Sequence, residues 1–384
     1  MFIANSMRAA LGLSLIPLAS CAHRKQTAAR SDAAPSWQPL VADFETQIPM
    51  LMADAHVPGL SIAVIHDAKL VWRRGFGFKD AATKAPVDDD TVFEAASMSK
   101  PVFAYVALKL CENGVIGLDT PLTRYAPEPF LIGDPRLELI TPRHVLSHSG
   151  GFQNMRSGDK PLRIHFDPGS QYLYSGEGYF YLQSGISHLK GQVNRNDCAK
   201  FEADLEVCAT DFGQFMDANL LKPFGMAQSG YTANDTSATP HGIDGKPLPI
   251  SKSTGAAVAR YGAVGGLHTT PTDYAKFMIE VINPRKPDAF RVKKETLDEM
   301  LRPHVKVVSG SYTSSWALGW QVQDNGLINH GGDNRGFHCH AIASPRNKSG
   351  FVVMTNGENG PKIIQQLFAR LAFDRFFGIP RKSV

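Results

Sequence analysis

The alternation of hydrophobic and polar positions predicts a helix followed by a β-hairpin near the start of the chain. Apolar residues recur at helical spacing ahead of a Pro-Gly pair, at Leu40, Val41, Phe44, Ile48 and Leu51. Residues 60–65 are apolar and β-branched, residues 66–68 have the composition of a turn, and residues 70–77 continue as a second strand. We therefore expect an opening helix and two antiparallel strands.

A helical pattern dominates the middle of the chain. Residues 97–113 carry an apolar stripe, and Gly114 stands where a C-terminal cap is expected. The stripe consists of Phe103, Val106, Ala107 and Leu110. Residues 115–260 indicate mostly helix and long loops, because proline and glycine interrupt the pattern repeatedly. A further helix is predicted near residues 272–282.

Strand character returns towards the C-terminus, at residues 317–322, 336–343 and 351–355. A closing amphipathic helix carries Ile363, Ile364, Leu367, Phe368 and Leu371. Strands at both chain ends around a helical middle predict an α+β fold, in which the two ends build one antiparallel sheet flanked by helices. The middle would form a second, mostly helical lobe, with the functional site in the cleft between the lobes.

The composition excludes several classes of protein. The 384 residues include 43% hydrophobic and 20% charged residues, which is typical of a globular chain and not of a disordered or coiled-coil one. A net charge of +4 without basic clusters argues against nucleic acid as the main partner. The five cysteines contain no Cys-x-x-Cys pair, and His338 and His340 lack further ligands nearby. We therefore expect neither a metal nor a cofactor.

The first 20 residues have the outline of a secretory signal. They carry one charged side chain, Arg8, followed by an apolar stretch of about 11 residues, whereas spanning a bilayer takes about 20. The stretch ends in Leu18-Ala19-Ser20-Cys21, which resembles the lipobox of bacterial lipoproteins. In that family the cysteine is lipidated and becomes the new N-terminus.

We therefore expect residues 1–20 to be removed, Cys21 to be lipidated, and residues 21–37 to form a flexible tether to a membrane facing the periplasm. The alternative is ordinary cleavage nearby, which would release a soluble periplasmic or secreted protein. Residues 38–384 would form a single two-lobed domain of undetermined oligomeric state. In an exported protein Cys198 and Cys208 are able to pair as a disulfide.

The candidate chemistry begins with Ser97-Met98-Ser99-Lys100, which places a hydroxyl and an amine on neighbouring positions of one helix face. The amine can take the hydroxyl proton only if burial or nearby positive charge lowers the pKa of the lysine. The same spacing recurs at residues 157–160 and 187–190, so spacing alone is a weak signal. Only Ser97 begins a helix directly after a strand-like segment, and Ser99 lies off the face of Lys100.

Three segments resemble the motifs of class C β-lactamases, D-alanyl-D-alanine carboxypeptidases and family VIII esterases. Phe93-Glu94-Ala95-Ala96-Ser97-Met98-Ser99-Lys100-Pro101 looks like their active-site segment. Tyr174-Ser175-Gly176 stands where the family has Tyr-x-Asn, and His330-Gly331-Gly332 stands where it has Lys-Thr-Gly, His-x-Gly or Trp-x-Gly. The motifs occur in the family's order, and the likeness extends from about residue 45 to 375. Accessory stretches at residues 145–151, 222–226 and 265–267 agree with it.

The resemblance implies a mechanism through an acyl-enzyme. Ser97 would be the nucleophile, Lys100 its base, and Tyr174 the phenol that passes a proton to the leaving group. Lys100 would be the neighbouring cation that lowers the pKa of Tyr174. The backbone N–H of Asp333 would join that of Ser97 in holding the oxyanion, and His330 would line the same edge and tune its charge.

Two departures from the family bear on the substrate. Gly176 replaces the Asn that, in the family, binds the acylamido side chain of β-lactams and peptides. His330-Gly331 replaces the Lys-Thr pair that grips a substrate carboxylate, which leaves a titratable imidazole beside the substrate edge formed by Gly331 and Gly332.

We therefore expect a serine hydrolase that cleaves amide or ester bonds in β-lactam or D-amino-acid peptide type substrates. One alternative is a carboxylesterase of the family VIII type. The alternative outside enzymes is a penicillin-binding or sensor protein that is acylated without turnover. Besides its substrate, the protein would bind the membrane through the lipid anchor.

Overall fold

The computed structural model describes residues 37–125, 130–190, 212–250, 261–309, 312–370 and 376–377. The predictions for the signal segment, for Cys21 and its tether up to residue 36, and for the Cys198–Cys208 pair therefore lie outside the described residues. Within those that are described, no helix combines the length and the apolar character that crossing a membrane requires.

The described elements begin and end with a helix, and groups of strands lie next to these two helices. The helices are α1 (Gln38–Ala55), α2 (Ser99–Glu112), α3 (Pro142–Leu146), α4 (Gly176–Lys190), α5 (Pro271–Ile282), α6 (Lys294–Leu301) and α7 (Gly360–Arg370). Shorter helical turns span Ala96–Met98, Leu122–Arg124, Pro135–Leu139 and Asp217–Leu221. The strands are β1 (Gly59–His66), β2 (Lys69–Asp80), β3 (Ala85–Pro86), β4 (Phe93–Glu94), β5 (His268–Thr269), β6 (Val305–Ser309), β7 (Tyr312–Trp316), β8 (Gln321–Gln323), β9 (Ile328–Asn334), β10 (Phe337–Ser344) and β11 (Ser349–Thr355).

Nine of the described strands form one antiparallel sheet in the order β3-β2-β1-β11-β10-β9-β8-β7-β6. The N-terminal strand β1 pairs with the C-terminal strand β11, with Leu60 opposite Thr355 and Ile65 opposite Gly350. The predicted sheet built from both chain ends is confirmed. The opening helix, the hairpin, the helix near residues 272–282 and the closing helix are confirmed as well.

Apolar side chains cover both faces of the sheet. Phe44, Ile48 and Leu367 of helices α1 and α7 pack with Ile62 and Val353 on one face. On the other face β1 presents alternate residues to the larger core, which includes α2 and α5. Because both faces are covered, β1 is buried along almost its whole length, and its sequence is an apolar run in which Ser61 is the one polar residue before the terminal His66.

Helix α2 runs through the larger core with every residue from Ser99 to Leu110 buried. Its hydrophobic residues therefore occupy all sides of the helix and not a single stripe. Lys100 lies in the first turn of this helix and has no exposed surface. The fold thus places an amine where water does not solvate it.

The prediction of a strand at residues 317–322 is largely wrong. Strand β8 begins only at Gln321, and residues 318–320 form a bend around Gly319, whose φ is +91°. A Cβ at Gly319 would lie 2.8 Å from the Cβ of Ala104, so the bend packs directly onto α2. The apolar residues Ala317, Leu318 and Trp320 are buried against the helix and not in a strand, and hydrophobicity alone does not distinguish the two arrangements.

Candidate active site

Ser97 lies in a tight turn between a short strand and the buried helix. Strand β4 pairs with β5, and the turn Ala96–Met98 connects it to α2. Ala96 has a φ of +45°, a left-handed conformation that costs a residue with a Cβ about 1–2 kcal/mol. We predicted Ser97 as the first residue of the helix, but α2 begins at Ser99, so Ser97 lies in the preceding turn, where it is partly exposed.

The neighbouring hydroxyl of Ser99 is fully engaged elsewhere. Its Oγ donates to the carbonyl oxygen of Ala96 at 2.7 Å and accepts the N–H of Leu267 at 2.9 Å. Ser99 has no exposed surface. It therefore joins the turn to the segment before β5, and Ser97 is the hydroxyl of this motif that a substrate can reach.

Lys100 has the surroundings that a lysine needs to act as a base. Its Nζ lies 3.1 Å from Ser97 Oγ and 2.8 Å from the carbonyl oxygen of Val264. No acidic side chain of the described residues forms an ion pair with it. Burial lowers the pKa of Lys100 from 10.5 to about 7. Near neutral pH a large fraction of the amine is therefore unprotonated and able to accept the Ser97 proton.

Tyr174 reaches the same hydroxyl from the other side. The Ser97 side chain is close enough to its phenol to lower the pKa of Tyr174 by hydrogen bonding, and its ring lies under Lys100, with Nζ 4.8 Å from the ring centroid. We expected Lys100 to lower the pKa of Tyr174, and this is wrong. Burial raises the pKa of Tyr174 above its ordinary value, and the hydrogen bond from Ser97 offsets this only in part. Tyr174 is thus a neutral phenol, which can donate its proton and be reprotonated.

His330 lies beside Tyr174 but does not supply a charge. Its Nδ1 lies 2.7 Å from the carbonyl oxygen of Gly331, and its ring is 5.4 Å from the ring of Trp316 and 6.3 Å from that of Tyr174. Burial, followed by the charge of Lys100, lowers the pKa of His330 to about 3. The expected role in tuning charge therefore fails near neutral pH, because the imidazole is neutral throughout that range.

Strand β9 approaches the Ser97 turn closely at Gly332. A Cβ at this position would lie 2.2 Å from the carbonyl oxygen of Ala95, so only glycine permits the contact. The next residue, Asp333, places its side chain on the opposite face of the sheet, where its Oδ1 lies 2.7 Å from His338 Nδ1. Gly331 lies one residue before Gly332 on the same strand. The proposed oxyanion role of the Asp333 backbone N–H stays a prediction.

Gly176 begins helix α4 two residues after Tyr174, and the loop that contains Asn154 covers it. Its N–H donates to Asn154 Oδ1 at 3.0 Å, while the N–H of Glu177 donates to the carbonyl oxygen of Asn154. A Cβ at Gly176 would lie 2.7 Å from that carbonyl oxygen and 2.9 Å from Val264 Cγ1. Gly176 therefore leaves no open space where the family has an Asn side chain, because the backbone of Asn154 and the side chain of Val264 occupy it.

Sequence reasoning gave no role to two aromatic neighbours of Tyr174. The ring of His148 lies 4.3 Å from that of Tyr174, and the ring of Trp316 lies 5.7 Å from it. His148 belongs to the stretch at residues 145–151 that resembles the family. The presence of a histidine in that stretch could have indicated a residue close to the site. Trp316 ends strand β7, which the apolar pattern did not predict.

The two histidines of strand β10 make packing and hydrogen-bonding contacts with neighbouring elements. His338 pairs with Asp333, and His340 packs against Phe368 of α7 at 4.7 Å between ring centroids. Among the described residues, no group of three or more His, Cys, Asp or Glu side chains has a geometry that could hold a metal ion.

A family model described as Beta-lactamase matches residues 44–372. The chain belongs to the beta-lactamase family. The match includes Ser97, Lys100, Tyr174 and His330, together with the strands from both chain ends.

Two curated relatives are similar to this chain at low identity. Protein flp of Staphylococcus aureus (strain MRSA252) is 22% identical over 356 residues, which cover 85% of this chain and 66% of that protein. Esterase EstB of Burkholderia gladioli is 26% identical over 249 residues, covering 57% of this chain and 59% of the esterase. The chain thus spans somewhat less than two thirds of the length of these relatives.

A solved structure has the same fold. The D-alanine carboxypeptidase AmpC from Burkholderia cenocepacia superposes with a TM-score of 0.67 at 19% identity, covering 88% of this chain and all of the carboxypeptidase. The β-lactamase-like α+β fold that the sequence predicts is therefore confirmed.

Proposed function

We propose that this protein is a serine hydrolase that forms an acyl-enzyme on Ser97 and cleaves ester or amide bonds. The observation that carries the proposal is the 3.1 Å contact between Ser97 Oγ and the fully buried Lys100 amine, which forms no ion pair with any of the described residues. Lys100 takes the proton as Ser97 attacks, the phenol of Tyr174 delivers a proton to the leaving group, and Lys100 returns its proton to Tyr174. The second half of the cycle repeats these steps with water as the nucleophile.

The experiment is active-site labelling followed by substrate profiling. A fluorophosphonate probe should label the wild-type protein at Ser97, and Ser97→Ala should remove both labelling and hydrolysis. Ser99→Ala is the matched control. Ser99 lies two residues from Ser97, and its hydroxyl is buried and hydrogen-bonded to the backbone of Ala96 and Leu267. If Ser97→Ala retained full activity towards every accepted substrate, the proposal would be wrong.

The surroundings of Gly176 and His330 favour esters over β-lactams and D-alanyl peptides. β-Lactams and D-alanyl peptides carry a carboxylate, and a neutral His330 offers it no charge–charge attraction. The space of an amide side chain at position 176 is filled by Asn154 and Val264. Similarity to esterase EstB also supports a carboxylesterase as the form of this function.

Rates measured with a short-chain nitrophenyl ester, a chromogenic cephalosporin and a D-alanyl-D-alanine peptide separate the candidates. We expect kcat/KM to be highest for the ester. A dominant rate on the peptide would instead support a carboxypeptidase. Stoichiometric acylation by the cephalosporin without turnover on any substrate would support the penicillin-binding or sensor alternative.

We also propose that the protein is exported and anchored to a membrane by lipid on Cys21. The apolar segment that ends in Leu18-Ala19-Ser20-Cys21 supports this. Metabolic labelling with a palmitate analogue should mark the wild-type protein and spare Cys21→Ser. An unchanged membrane fraction for Cys21→Ser would exclude the lipid anchor.

A further inference from the structure

His148 holds the backbone on both sides of Tyr174. Its carbonyl oxygen accepts the N–H of Leu173 at 2.9 Å, and its ring Nδ1 accepts the N–H of Ser175 at 3.0 Å. One residue thus binds the two immediate neighbours of Tyr174 with its main chain and its side chain. These two hydrogen bonds fix the direction in which the Tyr174 side chain leaves the backbone.

The same imidazole also contacts the ring of Tyr174. The two ring centroids are 4.3 Å apart at an interplanar angle of 36°. Behind it, His148 packs against Tyr179 at 5.3 Å and edge-on against Trp316 at 4.8 Å. With 1% of its surface exposed, the imidazole cannot move away from Tyr174 without displacing this packing.

His148 occupies this place against two energetic penalties. Its φ is +56°, a left-handed conformation that is unfavourable for residues with a Cβ. Because Nδ1 accepts a hydrogen bond, the neutral ring carries its proton on Nε2, and this buried N–H finds no partner among the described residues. Leaving a buried donor unpaired costs about 1–3 kcal/mol. An apolar residue at position 148 would avoid the cost of the unpaired N–H. We infer that the hydrogen bond that Nδ1 accepts from Ser175 compensates for this cost.

We propose that His148 is a positioning residue for Tyr174, which it holds at the hydroxyl of Ser97 through two backbone hydrogen bonds and a ring contact. This inference rests on the proposed function, because it concerns the step in which Tyr174 protonates the leaving group. A displaced phenol would still leave Ser97 and Lys100 in contact. Acylation by a substrate whose leaving group needs no proton should therefore suffer less than acylation by one whose leaving group does.

Two esters separate this role from a general structural one. A nitrophenolate departs without being protonated, whereas an alkyl alcohol must receive a proton as it leaves. His148→Phe keeps an aromatic ring but loses the acceptor for Ser175. His148→Asn keeps an acceptor and tolerates a positive φ, but loses the ring. We expect both variants to lower kcat for the alkyl ester at least about 10-fold more than for the nitrophenyl ester, with KM little changed.

His241→Phe is the matched control. His241 has no exposed surface, and its Nε2 likewise accepts a backbone N–H, that of Ala81, at 3.1 Å. Its substitution removes this hydrogen bond and the one between Nδ1 and the carbonyl oxygen of Asn356 at 2.9 Å, both away from Tyr174, so any loss should be equal for the two esters. If His148→Phe does not fold, the comparison is made with His148→Asn, whose folding is checked by thermal unfolding.

A double-mutant cycle with Tyr174→Phe completes the test. If His148 acts through Tyr174, adding His148→Asn to Tyr174→Phe should reduce the alkyl-ester rate by less than about 2-fold further. Equal losses on both esters, or effects that multiply in the double variant, would overturn the inference. Failure of the wild-type protein to react with the fluorophosphonate probe would instead contradict the proposed function itself.

Discussion

Lowering the pH should inactivate the protein as Lys100 gains a proton. A lysine with its ordinary pKa of 10.5 is neutral in about 0.03% of molecules at pH 7. With the pKa lowered by burial to about 7, about half of the molecules hold the amine in the form that accepts the Ser97 proton. Burial of this one side chain thus increases the fraction of competent protein about a thousandfold at pH 7.

The pH profile follows from the same number. The neutral fraction falls to about 9% at pH 6 and about 1% at pH 5, so kcat/KM should fall about 5-fold from pH 7 to pH 6 and close to 10-fold from pH 6 to pH 5. His330 cannot produce this limb, because its pKa is lowered to about 3. The assay is kcat/KM for a nitrophenyl ester between pH 5 and 9, with thermal unfolding at each pH to confirm that the protein stays folded.

Two variants identify the titrating group. Lys100→Arg keeps a cation that cannot lose its proton in this range, so it should be inactive at every pH. His330→Asn should keep the midpoint of the wild-type profile within about half a unit. A flat profile between pH 5 and 8, or a midpoint that follows the His330 substitution, would refute the assignment of Lys100 as the base.

Three further substitutions test the packing around the site. Gly332→Ala should lower both the unfolding temperature and kcat, because its Cβ would lie 2.2 Å from the carbonyl oxygen of Ala95; retention of both would contradict the close approach of the two backbones. Gly176→Asn should reduce stability without improving cephalosporin hydrolysis, because Asn154 fills the space; a gain in cephalosporin turnover would show that the loop yields readily. Burial raises the pKa of Cys339 well above its usual value, so iodoacetamide at pH 8 should leave the activity unchanged; inactivation that Cys339→Ala prevents would disprove this.

The apolar pattern predicted the sheet because the outer elements have local and unambiguous signals. Strand β1 is an apolar run followed by a turn, and α7 has a clear helical stripe. The same pattern wrongly predicted a strand at residues 317–320, because their side chains are buried by contact with α2 in the bend at Gly319. Burial by a tertiary contact and burial within a strand produce the same sequence of hydrophobic residues.

The motifs located the candidate site, but they did not determine its electrostatics. The Ser-x-x-Lys spacing, together with its place after a strand-like segment, predicted that Ser97 and Lys100 act together, and their contact is local to one turn. The pKa values of Tyr174 and His330 depend on how deeply each side chain is buried by distant segments. Such burial is decided by packing among α4, β9 and the bend after β7, and no single motif contains that information.

The pairing of β1 with β11 has a consequence for how the molecule folds. Leu60 and Thr355 are neighbours in the sheet but lie about 300 residues apart along the chain. Closing so long a loop costs entropy before any contact compensates for it, so folding should be slow and largely post-translational. A chain shortened before residue 349 would lack the partner strand of β1 and expose its apolar edge. In the full chain, the apolar edge of β1 is likewise exposed until β11 pairs with it, and exposed edges aggregate. The yield of refolding should therefore fall steeply as the protein concentration rises.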